Sequence, residues 1–169
     1  MKEERNGALV RLELDSDGFA KAERLVAYEI GNALLMLNLE LQQHLKLRAE
    51  EYQIYLLIVL STVQRFARAA SPDDAFVDST PLPDSHTGTI SRRRIADVLG
   101  IPVETVRRIV ARFLDAGLIV ERRRGGLASH GGMLGILSGD DPHEKITRRL
   151  ITSINSLLRL GVIEALSKE

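Results

Sequence analysis

The sequence predicts a mainly α fold: long helices toward the two ends of the chain and, between them, two short helices meeting at a corner and followed by a small β-hairpin. Three observations lead there. Apolar residues recur at spacings of three and four through most of the chain. Gly100 and Pro102 interrupt that pattern at one point. A short apolar stretch, an arginine run and two glycines, Leu118 to Gly126, then read as a strand and a hairpin tip. At 169 residues the chain can hold one ordinary core, or a small core with long helical extensions.

In chain order, Ala8 to Leu14 alternates and reads as a short strand. Asp17 is the expected N-cap of a long helix reaching Leu47, with Phe19, Ala22, Val26, Ile30, Ala33, Leu34, Leu37, Leu41 and Leu45 as its apolar stripe and Gly31 as a candidate bend. Such a helix spans about 45 Å at about 1.5 Å per residue, longer than a small domain is wide. Part of its stripe must therefore meet something outside its own domain. Ala49 to Ala70 reads as a second helix, apolar nearly all round between Ile54 and Val63 and hence buried. Ser71 to Gly88 contains Pro72, Pro81 and Pro83, each of which removes a donor and biases its predecessor away from helix, so an extended loop is expected.

The corner comes next. Arg92 to Leu99 is a short amphipathic helix burying Ile95, Ala96 and Leu99. Gly100 takes the positive φ a sharp turn needs, and Pro102 suits the start of the following helix. That helix, Val103 to Ala116, turns Val106, Ile109, Val110, Phe113 and Leu114 inward and Glu104, Arg107, Arg108 and Arg112 outward. Ala96 is small where two steeply crossing helices come closest. Gly117 ends the helix, Leu118 to Arg123 forms a strand, Gly125 and Gly126 supply a tip, and Met133 to Leu137 is the expected returning strand. Asp140 or Asp141 caps a final helix with Pro142 in its first position. The stripe Ile146, Leu150, Ile154, Leu157, Leu158, Val162 and Leu166 carries that helix to the chain end. So much Leu and Ile on a terminal helix calls for a packing partner, most simply the first helix of a second copy.

The run ISRRRIADVLGIPVETVRRIVARFLDAGLI resembles the winged helix-turn-helix of bacterial transcription regulators. It is similar in particular to the DNA-binding domain of the cyclic-AMP receptor protein and fumarate-nitrate regulator family. The matching residues are IADVLG at Ile95 to Gly100, ETVRR at Glu104 to Arg108, and the GLI that opens the wing. In that family the positions matching Glu104 and Arg108 reach base edges, so the resemblance implies that work for these two. The wider layout of two helices, helix-turn-helix, wing and terminal helix resembles the multiple-antibiotic-resistance-regulator family, which implies a dimer interface built from both chain ends. The expected fold is thus a winged helix-turn-helix with a small β-wing and long N- and C-terminal dimerisation helices. Its organisation is a helical dimerisation and support region at 1–70, a Pro-rich loop at 71–88, a DNA-binding region at 89–139 and a dimerisation helix at 140–169.

Charge placement agrees with a double-stranded DNA partner. The net charge is zero, but Arg92 to Arg124 holds nine arginines against four carboxylates, net +5, which leaves −5 elsewhere and would orient the molecule on a polyanion. Val103, Glu104, Arg107 and Arg108 are the base-reading candidates: an arginine can donate to guanine or to phosphate, and a glutamate can accept from cytosine N4. Ser91, Arg92, Arg93, Arg94, Thr105 and Arg112 are backbone candidates, and Arg122, Arg123 and Arg124 would reach the minor groove or backbone from the wing. The plainer reading of the same face is a solvated helix with Glu104 and Arg108 paired at i, i+4. A plain solubilising role stands beside the wing assignment as well.

With no cysteine there is no disulfide framework or thiolate chemistry, and the seven-residue apolar run Ile54 to Leu60 falls far short of the roughly 20 residues of a spanning helix. A soluble cytoplasmic protein with no membrane association is expected. His44, His86, His130 and His143 lie in separate predicted elements. Asp140, Asp141, His143 and Glu144 read as helix-start chemistry rather than a metal site. His130-Gly131-Gly132 has no accompanying G-x-S-x-G, and neither a P-loop nor H-E-x-x-H is present, so no enzyme, metal or cofactor is expected. The reading favoured is a homodimeric, sequence-specific transcription regulator on a pseudo-palindromic site. Two alternatives stay open: a winged-helix protein-interaction module, and a regulator sensing an unknown small-molecule effector in a pocket between the helices and the reader, lined by Ile54 to Val63.

Overall fold

The computed structural model of the chain describes residues 10–70, 82–130 and 142–167. Among these, the order is β1 (Val10–Leu14), α1 (Ser16–Leu45), α2 (Ala49–Ala69), α3 (Arg92–Leu99), α4 (Val103–Asp115), β2 (Ile119–Glu121), β3 (Leu127–Ser129), α5 (Pro142–Arg159) and β4 (Ile163–Ser167). The fold is mainly α with a winged helix-turn-helix and a small wing. The chain divides into two compact units, a central one at Leu41–Asp141 and a terminal one combining Met1–Glu40 with Pro142–Glu169.

The central unit is built round one cluster: Ile54, Tyr55 and Ile58 from α2, Ile95 and Ala96 from α3, Val106, Ile109, Val110 and Phe113 from α4, and Ile90, Ile119 and Leu127 from the wing and its approach. Tyr55 and Phe113 meet edge to face with ring centroids 5.9 Å apart. Burial pushes the Tyr55 hydroxyl up to about 12. The corner follows from local chemistry. Ser91 caps α3, its hydroxyl accepting from the Arg94 N–H at 3.2 Å. Gly100 sits at φ 67°, where a side chain is costly, and α4 starts directly after Pro102. In α2 only one face is buried, Ile54, Tyr55, Ile58 and Thr62, while Leu60 on the other is 54 % exposed. The expectation of burial all round therefore fails, because among the described residues of its unit α2 has neighbours on one side only. The expected 1–70 region places α2 with the N-terminal helix, whereas its buried side chains belong to the central cluster.

The first wing strand is shorter than expected, Ile119–Glu121 rather than Leu118 to Arg123. β2 and β3 pair antiparallel, Ile119 opposite Ser129 and Glu121 opposite Leu127, and Ile90 exchanges backbone hydrogen bonds with Leu127 at 3.0 and 2.8 Å. The strand that pairs with β2 directly after the tip is Leu127–Ser129, and the expected returning strand, Met133 to Leu137, lies outside the described residues. Gly126 is required at the tip's return: a Cβ there would sit 2.6 Å from the Thr89 hydroxyl.

In the terminal unit β1 pairs antiparallel with β4, Leu14 opposite Ile163. The expected continuation of the last helix to Leu166 is corrected: Gly161 adopts φ 67°, ends α5, and turns the chain into β4. The cap of α1 is Asp15 rather than Asp17, its Oδ1 accepting from the Asp17 and Gly18 N–H groups at 2.9 Å each. α1 runs unbroken through Gly31. Glu40 and Arg149 pair at 2.8 Å between α1 and α5. Asp140 and Asp141, the expected caps of α5, lie outside the described residues. Val26 and Val162 are the only described apolar side chains of this unit that are fully buried.

Candidate nucleic-acid interface

α4 presents Val103, Glu104, Arg107, Arg108 and Arg112 outward while Val106, Ile109, Val110 and Phe113 anchor its opposite face. Thr105 is half-buried at the helix start. Nothing in the unit covers the Glu104 and Arg107 side chains, 82 % and 63 % exposed. Their ion pair runs from Glu104 to Arg107 at 3.3 Å, i to i+3, not to Arg108 as the sequence spacing suggests. An exposed pair of this kind is weak and open to exchange for another partner. Arg108 has no carboxylate partner among the described residues.

The other arginines sort into two groups. Arg92 binds Glu121 through both guanidinium nitrogens, at 3.1 and 2.7 Å, which ties the start of α3 to β2. The arrangement raises the Arg92 pKa and lowers that of Glu121, each mainly through their shared hydrogen bond. Arg112 reaches Glu51 at 2.6 Å and so joins α4 to the first turn of α2. The Glu51 carboxyl is held below the ordinary range, first by the Arg48 backbone N–H at 3.0 Å and then, against the opposing effect of burial, by Arg112. Arg122 pairs with Asp84 at 2.8 Å. These three side chains brace the unit. By contrast Arg93, Arg94, Arg108, Arg123 and Arg124 are exposed and lack a carboxylate partner among the described residues.

Two features of this region run against the chain's own stability. Arg92, Arg93 and Arg94 occupy the first turn of α3 with no acid among them, although a helix N-terminus already carries partial positive charge. At the wing tip Arg124 adopts φ 61° and ψ 27°, a left-handed conformation costly for a side chain with a Cβ. The first arrangement gains from an anion close by.

Sequence reading named the outer face of α4 and all the arginines of this region. It missed the three acids that brace it, Glu51, Glu121 and Asp84. It also missed Arg65 and Arg68 of α2, which line an open cleft together with Arg94; their spacing of three on the polar side of a helix was the available signal. Ser91 serves α3 as its cap, its hydroxyl oxygen accepting from the Arg94 N–H, a bond that does not use its own O–H donor.

Residues 85–120, from the approach to α3 through the start of β2, match the family model described as winged helix-turn-helix DNA-binding. No curated protein and no solved structure matches the chain. Laid on this geometry, the family match supports a DNA-binding regulator. Among the described residues, no helix is long and apolar enough to cross a membrane.

Proposed function

We propose that the chain is a sequence-specific transcription regulator that binds double-stranded DNA as a homodimer on a pseudo-palindromic site. The observation that carries the proposal is the outer face of α4, with Glu104 and Arg107 only loosely paired and Arg108 without a carboxylate partner among the described residues, on a helix whose other face is locked into the core. α4 enters the major groove, where Arg108 and Arg107 donate to guanine and Glu104 accepts from cytosine, with Val103 against the base edges. Arg93, Arg94, Arg123 and Arg124 contact phosphates, and Arg92, Arg112 and Arg122 hold the elements that present them. The base-reading roles follow the resemblance to the cyclic-AMP receptor protein and fumarate-nitrate regulator family. Pairing through the chain ends follows the resemblance to the multiple-antibiotic-resistance-regulator family.

The terminal unit supports the homodimer. Thirteen of the sixteen exposed large apolar side chains among the described residues belong to it, including Leu25, Leu34, Leu35 and Leu39 of α1 and Leu150 and Ile151 of α5. An apolar surface of that extent is covered in a stable protein, and a two-fold partner covers it with a copy of itself. Half-sites then lie about 34–36 Å apart along the duplex, or a multiple of that.

The test is selection of bound fragments from sheared DNA, followed by anisotropy titration of the selected site with Arg108→Ala. Discrimination at one base pair should fall by about 1–3 kcal/mol, while affinity for unrelated duplex is nearly unchanged. Wild-type-like binding by the variant, or failure of the protein to bind any duplex at low salt, overturns the assignment.

A further inference from the structure

Beside the start of α3 the central unit holds an open cleft of about 530 Å³, lined by Ser61, Gln64, Arg65 and Arg68 of α2, Gly88 to Ile90, and Arg94. Its floor is set by close backbone approach. The Gly88 N–H donates to the Thr62 carbonyl at 2.8 Å, and a Cβ at Gly88 would lie 2.3 Å from the Ser61 carbonyl oxygen. Three arginines from two elements line this space, and no carboxylate is among its described lining residues. Elsewhere in the same unit Arg92, Arg112 and Arg122 each have their own acid. Three like charges gathered without a counter-charge repel one another, and an anion seated between them reverses the sign of that interaction.

We propose that this cleft is a phosphate-binding site, with Arg65, Arg68 and Arg94 as its cationic donors and the Ser61 and Thr89 hydroxyls and the Gln64 amide as neutral ones. Guanidinium forks match phosphate oxygens two at a time. The cavity is larger than one phosphate needs and falls within the range of small-ligand pockets, about 300–1,000 Å³. The same chemistry is offered by a small phosphorylated effector and by the duplex backbone running past the helix-turn-helix. Arg94 belongs to the first turn of α3 as well as to the cleft, so an effector seated here competes with DNA for one side chain. The site stands on the charge and shape of the cleft and is independent of the base-reading assignment to α4.

The experiment compares the full chain with an Arg65→Gln/Arg68→Gln double variant, using Arg24→Gln on α1 as the control for loss of positive charge. In the first arm, pyrophosphate is titrated by isothermal calorimetry. Saturable binding that weakens by about tenfold or more in the double variant, and not in the control, supports the site with a small anion as occupant. In the second arm, duplex affinity is measured against salt. A fall in affinity, with the log–log salt slope reduced by about 2 in the double variant alone, supports it with the backbone as occupant. Arg65 and Arg68 are exposed, so unchanged thermal unfolding is expected of the double variant. If pyrophosphate binding and the salt slope are both the same in double variant and wild type, the proposal is wrong, whether or not the protein binds DNA.

Discussion

The two units of this chain are incomplete in opposite ways. The central unit closes its apolar core over twelve buried residues drawn from three helices and the wing, and leaves on its surface positive charge that has no carboxylate partner among the described residues. The terminal unit pairs Glu40 with Arg149 across its helices, and leaves apolar surface, with only Val26 and Val162 fully buried among its described apolar residues. What a region fails to satisfy internally indicates the chemistry of what it meets: a polyanion in one case, another apolar surface in the other.

The largest expected effect breaks the terminal side of that contrast. Leu34→Glu with Leu35→Glu places two charges on side chains that are 57 % and 58 % exposed in the single chain, so the monomer itself should lose little. Mass in solution by light scattering should nevertheless fall to that of one chain, and affinity for a two-half-site duplex should drop by about 10²–10⁴ as the second contact ceases to be intramolecular. A variant of unchanged mass would mean that this face is not where two copies meet. Ile109→Ala tests the other side. Ile109 is 1 % exposed at the centre of the closed cluster, so denaturant unfolding should show a loss of about 2–5 kcal/mol with no change in subunit stoichiometry. If the same substitution also changed the mass, the two units would not be separable in the way described.

The contrast also explains what the sequence made legible. The corner at Gly100 and Pro102 and the inner face of α4 depend on neighbours within a turn or two, and spacing alone reveals them. β4 does not: Val162 and Leu166 continue the apolar spacing of α5, and only Gly161 and pairing with a strand at the opposite end of the chain turn this stretch into a strand. At three residues each, β2 and β3 are too short for periodicity to place, and Leu127–Ser129 carries no alternation that marks it as a strand. The braces Arg92–Glu121 and Arg122–Asp84 join residues 29 and 38 positions apart, and no local pattern assigns such partners. On α1 a single stripe was legible, whereas Leu25, Leu35 and Leu39 form part of a further apolar surface that only burial reveals.

A smaller effect tests the bracing of α4. Because the Glu51 carboxyl is depressed in the folded chain, its contribution is fully present above the unfolded pKa and is lost as pH falls through the folded one. Stability measured by denaturant titration should therefore decline on the acid side of the ordinary glutamate range. Glu51→Gln keeps an acceptor for the Arg48 N–H but loses the charge facing Arg112. It should cost about 1 kcal/mol near neutral pH and flatten that acid decline. An acid limb as steep in the variant as in the wild type would assign the pH dependence to other carboxylates.

The smallest expected change separates binding from stability at the wing tip. Arg124 holds a left-handed backbone conformation at φ 61°, directly before Gly125 at φ 72°. Arg124→Gly removes the Cβ penalty there, about 1 kcal/mol or somewhat more, and adds glycine's larger unfolded-state entropy, about 0.4–1 kcal/mol, so the net effect on folding is a gain of about 0.5 kcal/mol. The same substitution removes a cation that has no carboxylate partner among the described residues. If that cation touches a phosphate, duplex affinity should weaken for all sequences alike, and the salt slope should shrink by about 0.9. A residue that destabilises its own turn while strengthening binding to DNA belongs to the surface that the partner completes. Equal duplex affinity and salt slope before and after the change would reduce Arg124 to turn chemistry and move the wing's contribution to Arg123.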